Sequence, residues 1–253
     1  MSQRSINSKG QLGKSHLEID TSLGHWILQL LGVVAFGVIS VLLTVEIYLG
    51  AIGFGLVWLL PVLAVLAYLA ADLLSGFVHF LADNFGSRET PIIGPYFIGP
   101  FRDHHTDPKG ILRHGFIETN GNNSLVSVPF MLVVLLAAPV ATSVWGYLFG
   151  AFFLFTCLAV FLTNQFHKWA HVEVPEAPPK AVAWLQRRGV VLSKEHHDVH
   201  HESPYDTYYC ITVGVWNPLL DRTNFFERAE RLIRRVVPGT DDRLRSQTEK
   251  LGG

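Results

Sequence analysis

Charge is scarce in this sequence. Asp, Glu, Lys and Arg supply 16% of its 253 residues, where a soluble domain carries about a quarter. Hydrophobic residues make up 49%, and mean hydropathy is +0.29. That deficit, gathered into a few segments, excludes an ordinary water-soluble globule. Cysteine is scarcer still. Cys157 lies in an apolar run and Cys210 in a polar stretch, and two such residues argue against a disulfide framework. A formal net charge of −1 says nothing about nucleic acid, and no nucleic-acid partner is expected. No internal repeat, low-complexity tract or transit peptide stands out.

Four runs hold no charged residue at all: 26–45, 51–71, 125–144 and 145–166. At 1.5 Å per residue, each is long enough to cross a hydrocarbon core roughly 30 Å thick. The expected architecture is an all-α integral membrane protein with four transmembrane helices, about 26–46, 51–80, 124–141 and 145–171, arranged as two hairpins. The first run is too long for a signal-peptide core and lacks a small-residue cleavage site, so it reads as a retained helix. Neither hairpin tip, near 46–52 and 139–146, contains Lys or Arg. All twenty basic residues fall before the first helix, in the 83–123 loop, or after 167. The positive-inside rule then places these segments and both termini in the cytoplasm, on a bacterial inner membrane or an endoplasmic reticulum. The Asn122-Asn123-Ser124 sequon is accordingly expected to be unused.

One domain, 26–237, is expected, with a polar segment at 1–25 and a flexible tail at 238–253. Its cytosolic cap comprises 83–123, rich in Gly and Pro and read mostly as loop, and 172–237. Within the cap, 180–192 and 218–237 combine apolar and arginine-bearing faces at helical spacing. They read as amphipathic helices on the membrane surface, with packing onto the cap as the plainer alternative. Pro238-Gly239 should end the second.

Histidine is what the chain concentrates. Of twelve, nine fall in four groups at or just beyond the ends of apolar runs: His79; His104 and His105; His167 and His171; His196, His197, His200 and His201. His167 and His171 are four apart, as are His196 and His200, and His197 and His201, so each pair projects from one helical face. Helices two and four both exit on the cap side, where their histidines can meet and the cap can close over them. One tetrahedral zinc needs four ligands. This many imidazoles with almost no thiolate suits two octahedral-leaning ions, and imidazole suits iron. Two irons on a membrane face suggest oxygen activation. Asp83, His114 and Asn120 stand in reserve as ligands, and Asp103, Asp107, Asp198 and Glu195 could orient imidazoles from behind. The bland readings are that lone His16 and His25 are merely solvated, and that Asp72 bonds a neighbouring helix. An ionisable group within a span is nonetheless a functional candidate.

The segments DLLSGFVHFLADNFGS, PFRDHHTDPKGILRHGFIETNGNN, TNQFHKWAH and HHDVHHESPYDTYYCITVGVWNPLL closely resemble the plasmanylethanolamine desaturase family over roughly residues 68–220. The resemblance implies a membrane diiron oxygenase that uses O2 and two electrons to remove two hydrogens from a lipid chain. In the ether-lipid branch, it implies conversion of an alkyl ether to the vinyl ether of a plasmalogen. Carried over by position, the family's histidines match His79, His104, His105, His114, His167, His171, His196, His197, His200 and His201, and Asp83 matches its acid. The family commonly has Trp where this chain has Phe80 and Phe85, which leaves the pocket's shape open.

The alkyl chain is expected to enter between helices two and four, with the headgroup near Arg102, Lys109 or Arg113. Those basic residues equally fit the positive-inside rule alone. No flavin, haem or iron–sulfur motif is present, so electrons must come from a separate donor of cytochrome b5 or ferredoxin type. A rival on the same scaffold is an acyl-chain phospholipid desaturase or hydroxylase, which the ligand set cannot separate. A more distant one is a metal- or haem-binding membrane protein without oxygenase activity. Haem would want paired histidines facing each other within the bilayer, and a transporter would want ionisable residues at the midplane.

Overall fold

A computed structural model describes residues 23–173 and 175–236. The readings of the first 22 residues, of His16, of Pro238-Gly239 and of the tail lie outside them. The described helices are, in chain order, α1 (Leu23–Phe54), α2 (Leu60–Asn84), α3 (Gly99–Thr106), α4 (Phe116–Ala137) and α5 (Val144–Ala170), followed by the shorter α6 (Lys180–Arg187), α7 (Lys194–Asp198), α8 (Asn217–Arg222) and α9 (Phe225–Val236). Among the described residues there is no β-strand.

Four of these helices, α1, α2 with the 3₁₀ turn Val57–Leu59 that leads into it, α4 and α5, are long and apolar enough to cross a membrane. Between 17% and 39% of each apolar window is buried within the protein. Much of the rest, including Trp58, Val65, Phe130, Val133 and Trp145, is exposed apolar surface that only lipid would satisfy. The protein is a membrane protein.

Boundaries differ from the expected ones in two informative places. The first span continues through the expected tip to Phe54, because Glu46 and Gly50 interrupt neither its hydrogen bonds nor its apolar packing. α4 begins at Phe116, well inside the stretch read as loop. Polar residues there serve helix contacts: the Glu118 carboxylate accepts from Gly115 N–H at the helix start, and Asn122 accepts from the Gln29 side chain on α1.

α1 packs chiefly on α4 and α5, α2 on α5, and α4 on α5, whereas α1 and α2 make little direct contact. Leu43, Ile47, Met131, Tyr147, Ala151 and Leu154 form the shared core of α1, α4 and α5. A second core, Phe80, Tyr209, Cys210, Leu220 and Phe226, joins the cap end of α2 to the segment before α8 and to α9. The expected continuous helix over 218–237 is two helices, since Asn224 adopts a left-handed φ of 49° between them. α9 presses Phe225 and Phe226 onto Phe77 in edge-on ring contacts and leaves Leu232 and Val236 exposed.

Candidate metal centre

The site is assembled from four pieces of chain: the last turns of α2, α3, the end of α5, and the α7 run with the loop after it. Proline in the first turn of α3 is compatible with helix, since its missing N–H would have no partner there. α3 then delivers His104 and His105 in its last turn. α5 contributes His167, with His171 as its C-cap residue. Ser193 caps α7, its hydroxyl accepting from His196 N–H.

Eight histidines and one aspartate converge in two adjoining groups. In the first, Oδ2 of Asp83 lies 3.3 Å from His79 Nε2, 3.2 Å from His105 Nε2 and 3.6 Å from His200 Nε2. In the second, His104, His167, His171, His197 and His201 bring their ring nitrogens together. His167 Nε2 lies 2.8 Å from His197 Nε2 and 3.2 Å from His171 Nε2, and His201 Nε2 lies 3.1 Å from His197 Nε2 and 3.2 Å from His104 Nε2. The groups touch: the His105 and His201 ring centroids are 5.2 Å apart, and those of His197 and His200 are 5.8 Å apart.

Tautomers follow from the surroundings. His79 Nδ1 meets the Tyr209 carbonyl at 3.1 Å, and His200 Nδ1 meets the Thr207 carbonyl at 2.7 Å. A carbonyl only accepts, so both Nδ1 atoms carry the proton and both Nε2 atoms keep a lone pair. Those Nε2 atoms, with Asp83 Oδ1, are buried and have no hydrogen-bond partner. Convergent lone pairs shut away from water are costly unless a cation satisfies them. Two nitrogens bound to one ion at about 2.1 Å, at right angles, would lie about 3.0 Å apart. The 2.8–3.2 Å spacings of the second group match that arrangement. Burial, and after it the neighbouring imidazoles, holds His104, His197 and His200 well below the ordinary histidine range. Burial likewise pushes His171 down to about 3 and His201 to about 2. All five are therefore neutral near pH 7, the form that binds metal. The residues present fit a pair of metal ions.

Several expected members stand elsewhere. His196 lies outside both groups, although it is one residue from His197. Its Nε2 meets Asn217 Nδ2 at 3.1 Å, and its ring packs on Tyr208. Gly214, at φ 79°, is required beside it, because a Cβ there would sit 2.4 Å from that nitrogen. His114 faces Glu118 at 3.7 Å rather than the cluster, and Lys168 donates to its carbonyl. Asn120 donates to the Phe116 carbonyl and towards Gln165. His25 is half-buried against Tyr96 instead of solvated, with stacked rings 4.6 Å apart.

The acids read as supports are engaged elsewhere as well. Asp103 pairs with Arg88, Asp107 with Arg113 and Asp198 with Lys194, while Glu195 is exposed. Backbone carbonyls orient two of the imidazoles, His79 and His200, in their stead. Of the basic residues assigned to a headgroup, Arg102 is 3% exposed and donates to the carbonyls of Ala82, Phe85 and Gly86 at the end of α2. Lys109 pairs with Glu173.

Sequence reasoning missed the part played by the 207–217 loop. Asp72 Oδ1 accepts from three successive backbone N–H groups, those of Thr212, Val213 and Gly214, at 2.8–3.1 Å. Ser75 Oγ accepts from Ile211 N–H, and Asn217 bonds both the N–H and the carbonyl of Cys210. Gly76 allows the approach, since a Cβ there would meet Cys210 Sγ at 2.5 Å. This loop carries the Thr207 and Tyr209 carbonyls that set His200 and His79. Only the charge of Asp72 within a span offered a signal in the sequence.

An apolar slot of about 350 Å³ runs between α2, α4 and α5, lined by Val78, Val126, Phe130, Phe153 and Val160 among others. Phe101 is part of its wall, and the Phe101 ring lies 4.9 Å from that of His79. A smaller, more polar cleft of about 160 Å³ opens on His104 and His167 and includes Arg113, Asp107 and Glu118. Phe80 and Phe85 line neither space.

The lipid desaturase domain family matches residues 68–243. This chain belongs to that family. It is 47% identical over 189 residues to plasmanylethanolamine desaturase of Myxococcus xanthus, covering 73% of this chain and 65% of that one. Its identity to plasmanylethanolamine desaturase 1 of Mus musculus is 42%, covering 69% of this chain and 66% of the mouse protein. Against the Arabidopsis thaliana protein named fatty acid desaturase 4-like 1, chloroplastic, it is 36%, covering 70% and 58%. The matches thus span 58–66% of these relatives' lengths. No solved structure matches significantly.

Proposed function

We propose that this chain is a membrane diiron desaturase that forms the vinyl-ether double bond of a plasmalogen from plasmanylethanolamine. The observation that carries this reading is the pair of buried imidazole groups beside an apolar slot, with the His79 ring 4.9 Å from Phe101 of the slot's wall. The family, and the names of the bacterial and mouse relatives, support it. The reaction balances with O2 as co-substrate. The lipid gives up two hydrogens, a separate donor of cytochrome b5 or ferredoxin type gives two electrons, two protons enter, and two waters leave.

His79, His105, His200 and Asp83 would hold one iron, and His104, His167, His171, His197 and His201 the other. When bound, the irons supply oxygen activation strong enough to attack an unactivated C–H bond. The protein's own residues do the rest. The Thr207 and Tyr209 carbonyls hold two imidazoles in the metal-binding tautomer. The slot, lined by α4 as well as α2 and α5, takes up the chain and excludes water. The basic segments support a cytosolic face for the site and for the donor.

The test is lipid mass spectrometry, with and without acid, on plasmalogen-deficient cells expressing this chain and fed an alkyl-ether precursor. A product two mass units lighter that acid destroys is expected. A lighter but acid-stable product would overturn the ether-lipid assignment in favour of acyl-chain desaturation, as the name of the Arabidopsis relative suggests for that protein. An unchanged lipid profile with an iron-free purified protein would overturn the oxygenase reading itself.

A further inference from the structure

The polar cleft and the apolar slot share two lining residues, Phe101 of α3 and Asn164 of α5. On one side the walls mix Asp107, Arg113 and Glu118 with Tyr96 and Ile111. On the other they are Val126, Phe130 and Phe153. An amphiphile that occupies both spaces must place its own polar–apolar boundary where the wall changes character. A phosphate or ether oxygen pushed into the slot would lose its hydrogen bonds, and chain carbons drawn into the cleft would give up apolar contact.

The imidazole cluster faces that boundary rather than the middle of the slot. His104 and His167 line the cleft, and the His79 ring stands against Phe101. Both shared residues are held in place. Phe101 packs on Phe97, with ring centroids 5.2 Å apart, and against the buried group of Ala170, Leu192 and Ile211. The Asn164 amide donates to the Thr119 carbonyl at 3.1 Å and towards Asn123 at 3.4 Å.

We propose that Phe101 and Asn164 are the register stop that selects which carbons are oxidised, by seating the head end of the lipid in the cleft and presenting the first carbons beyond it to the cluster. The assignment rests on the desaturase reading above. Neither residue donates a metal ligand, so both act on position rather than on the chemistry. Shortening Phe101 lets the chain slide towards the cleft. An apolar side chain at Asn164 extends the greasy wall in the same direction. Either change brings carbons farther from the head to the site.

The experiment locates the double bond by ozone-induced fragmentation in lipids from cells expressing wild type, Phe101→Ala or Asn164→Leu, alongside iron content of each purified protein. With wild type, a single position next to the head end is expected. In each variant, at least about a tenth of the product should carry its double bond one or more carbons farther along, with iron retained. An unshifted position in an iron-replete variant, however slow, would overturn the register stop. A wild type that makes no chain double bond at all would instead overturn the desaturase reading on which it rests. Because the two variants lie on different helices, misfolding of one leaves the other to decide.

Discussion

Within the run His196–His201, neighbouring imidazoles have separate fates. His197, His200 and His201 face the cluster, while His196 is taken by Asn217. His200→Ala or His167→Ala should therefore lose iron while the protein still inserts, and His196→Ala should keep it; iron analysis of the purified proteins separates the two. Asp83 is the sole carboxylate among the grouped residues, with three imidazoles on one oxygen. Asp83→Asn should reduce iron by about one ion per chain, measurable by the same assay, because an amide is a far weaker ligand for a hard cation. Arg102 ties off the carbonyls at the end of α2. Arg102→Ala should cost about 2–3 kcal/mol, the worth of charged hydrogen bonds lost from a buried position. Thermal unfolding in detergent would show this; an unchanged midpoint, with altered headgroup preference, would restore the substrate role.

At the scale of elements, α2 and the 207–217 loop act as one unit. Asp72 satisfies three consecutive N–H groups, so Asp72→Ala would orphan all three at once. We expect a loss of about 3 kcal/mol or more, together with reduced iron, since the same loop carries the carbonyls behind His79 and His200. Retention of full iron by a destabilised Asp72→Ala protein would show that the loop supports the fold without setting the ligands. The length of the uncharged runs exposed the four spans, and the family resemblance already matched Asp83 to the family's acid. The register of the loop was illegible, because it depends on Asp72 meeting residues some 140 positions away. The break at Asn224 was missed for a related reason: its left-handed backbone leaves the heptad-like spacing of apolar residues on either side almost undisturbed.

For the whole molecule, the two groups stitch α2, α3, α5 and the α7 run together, so metal should stabilise the fold as well as serve the reaction. Stripping it with a chelator should lower the thermal midpoint, and iron should restore it. At a hundredfold excess over Kd, the linkage is worth about 2.7 kcal/mol. An identical midpoint with and without iron would mean that the cluster is preformed by packing alone. The sequence by itself determined the membrane class, the four spans, and the gathering of histidines at one end. These rest on local quantities: run length, helical period, and the cost of burying charge. Only the tertiary structure decided that His196 stands aside, that His114 and Asn120 stay outside the cluster, and that Arg102 braces a helix end. It also decided that carbonyls, not Asp103, Asp107, Asp198 or Glu195, stand behind His79 and His200. Each of those outcomes depends on which distant backbone arrives beside a side chain, and that information does not reside in the spacing of residues along the chain.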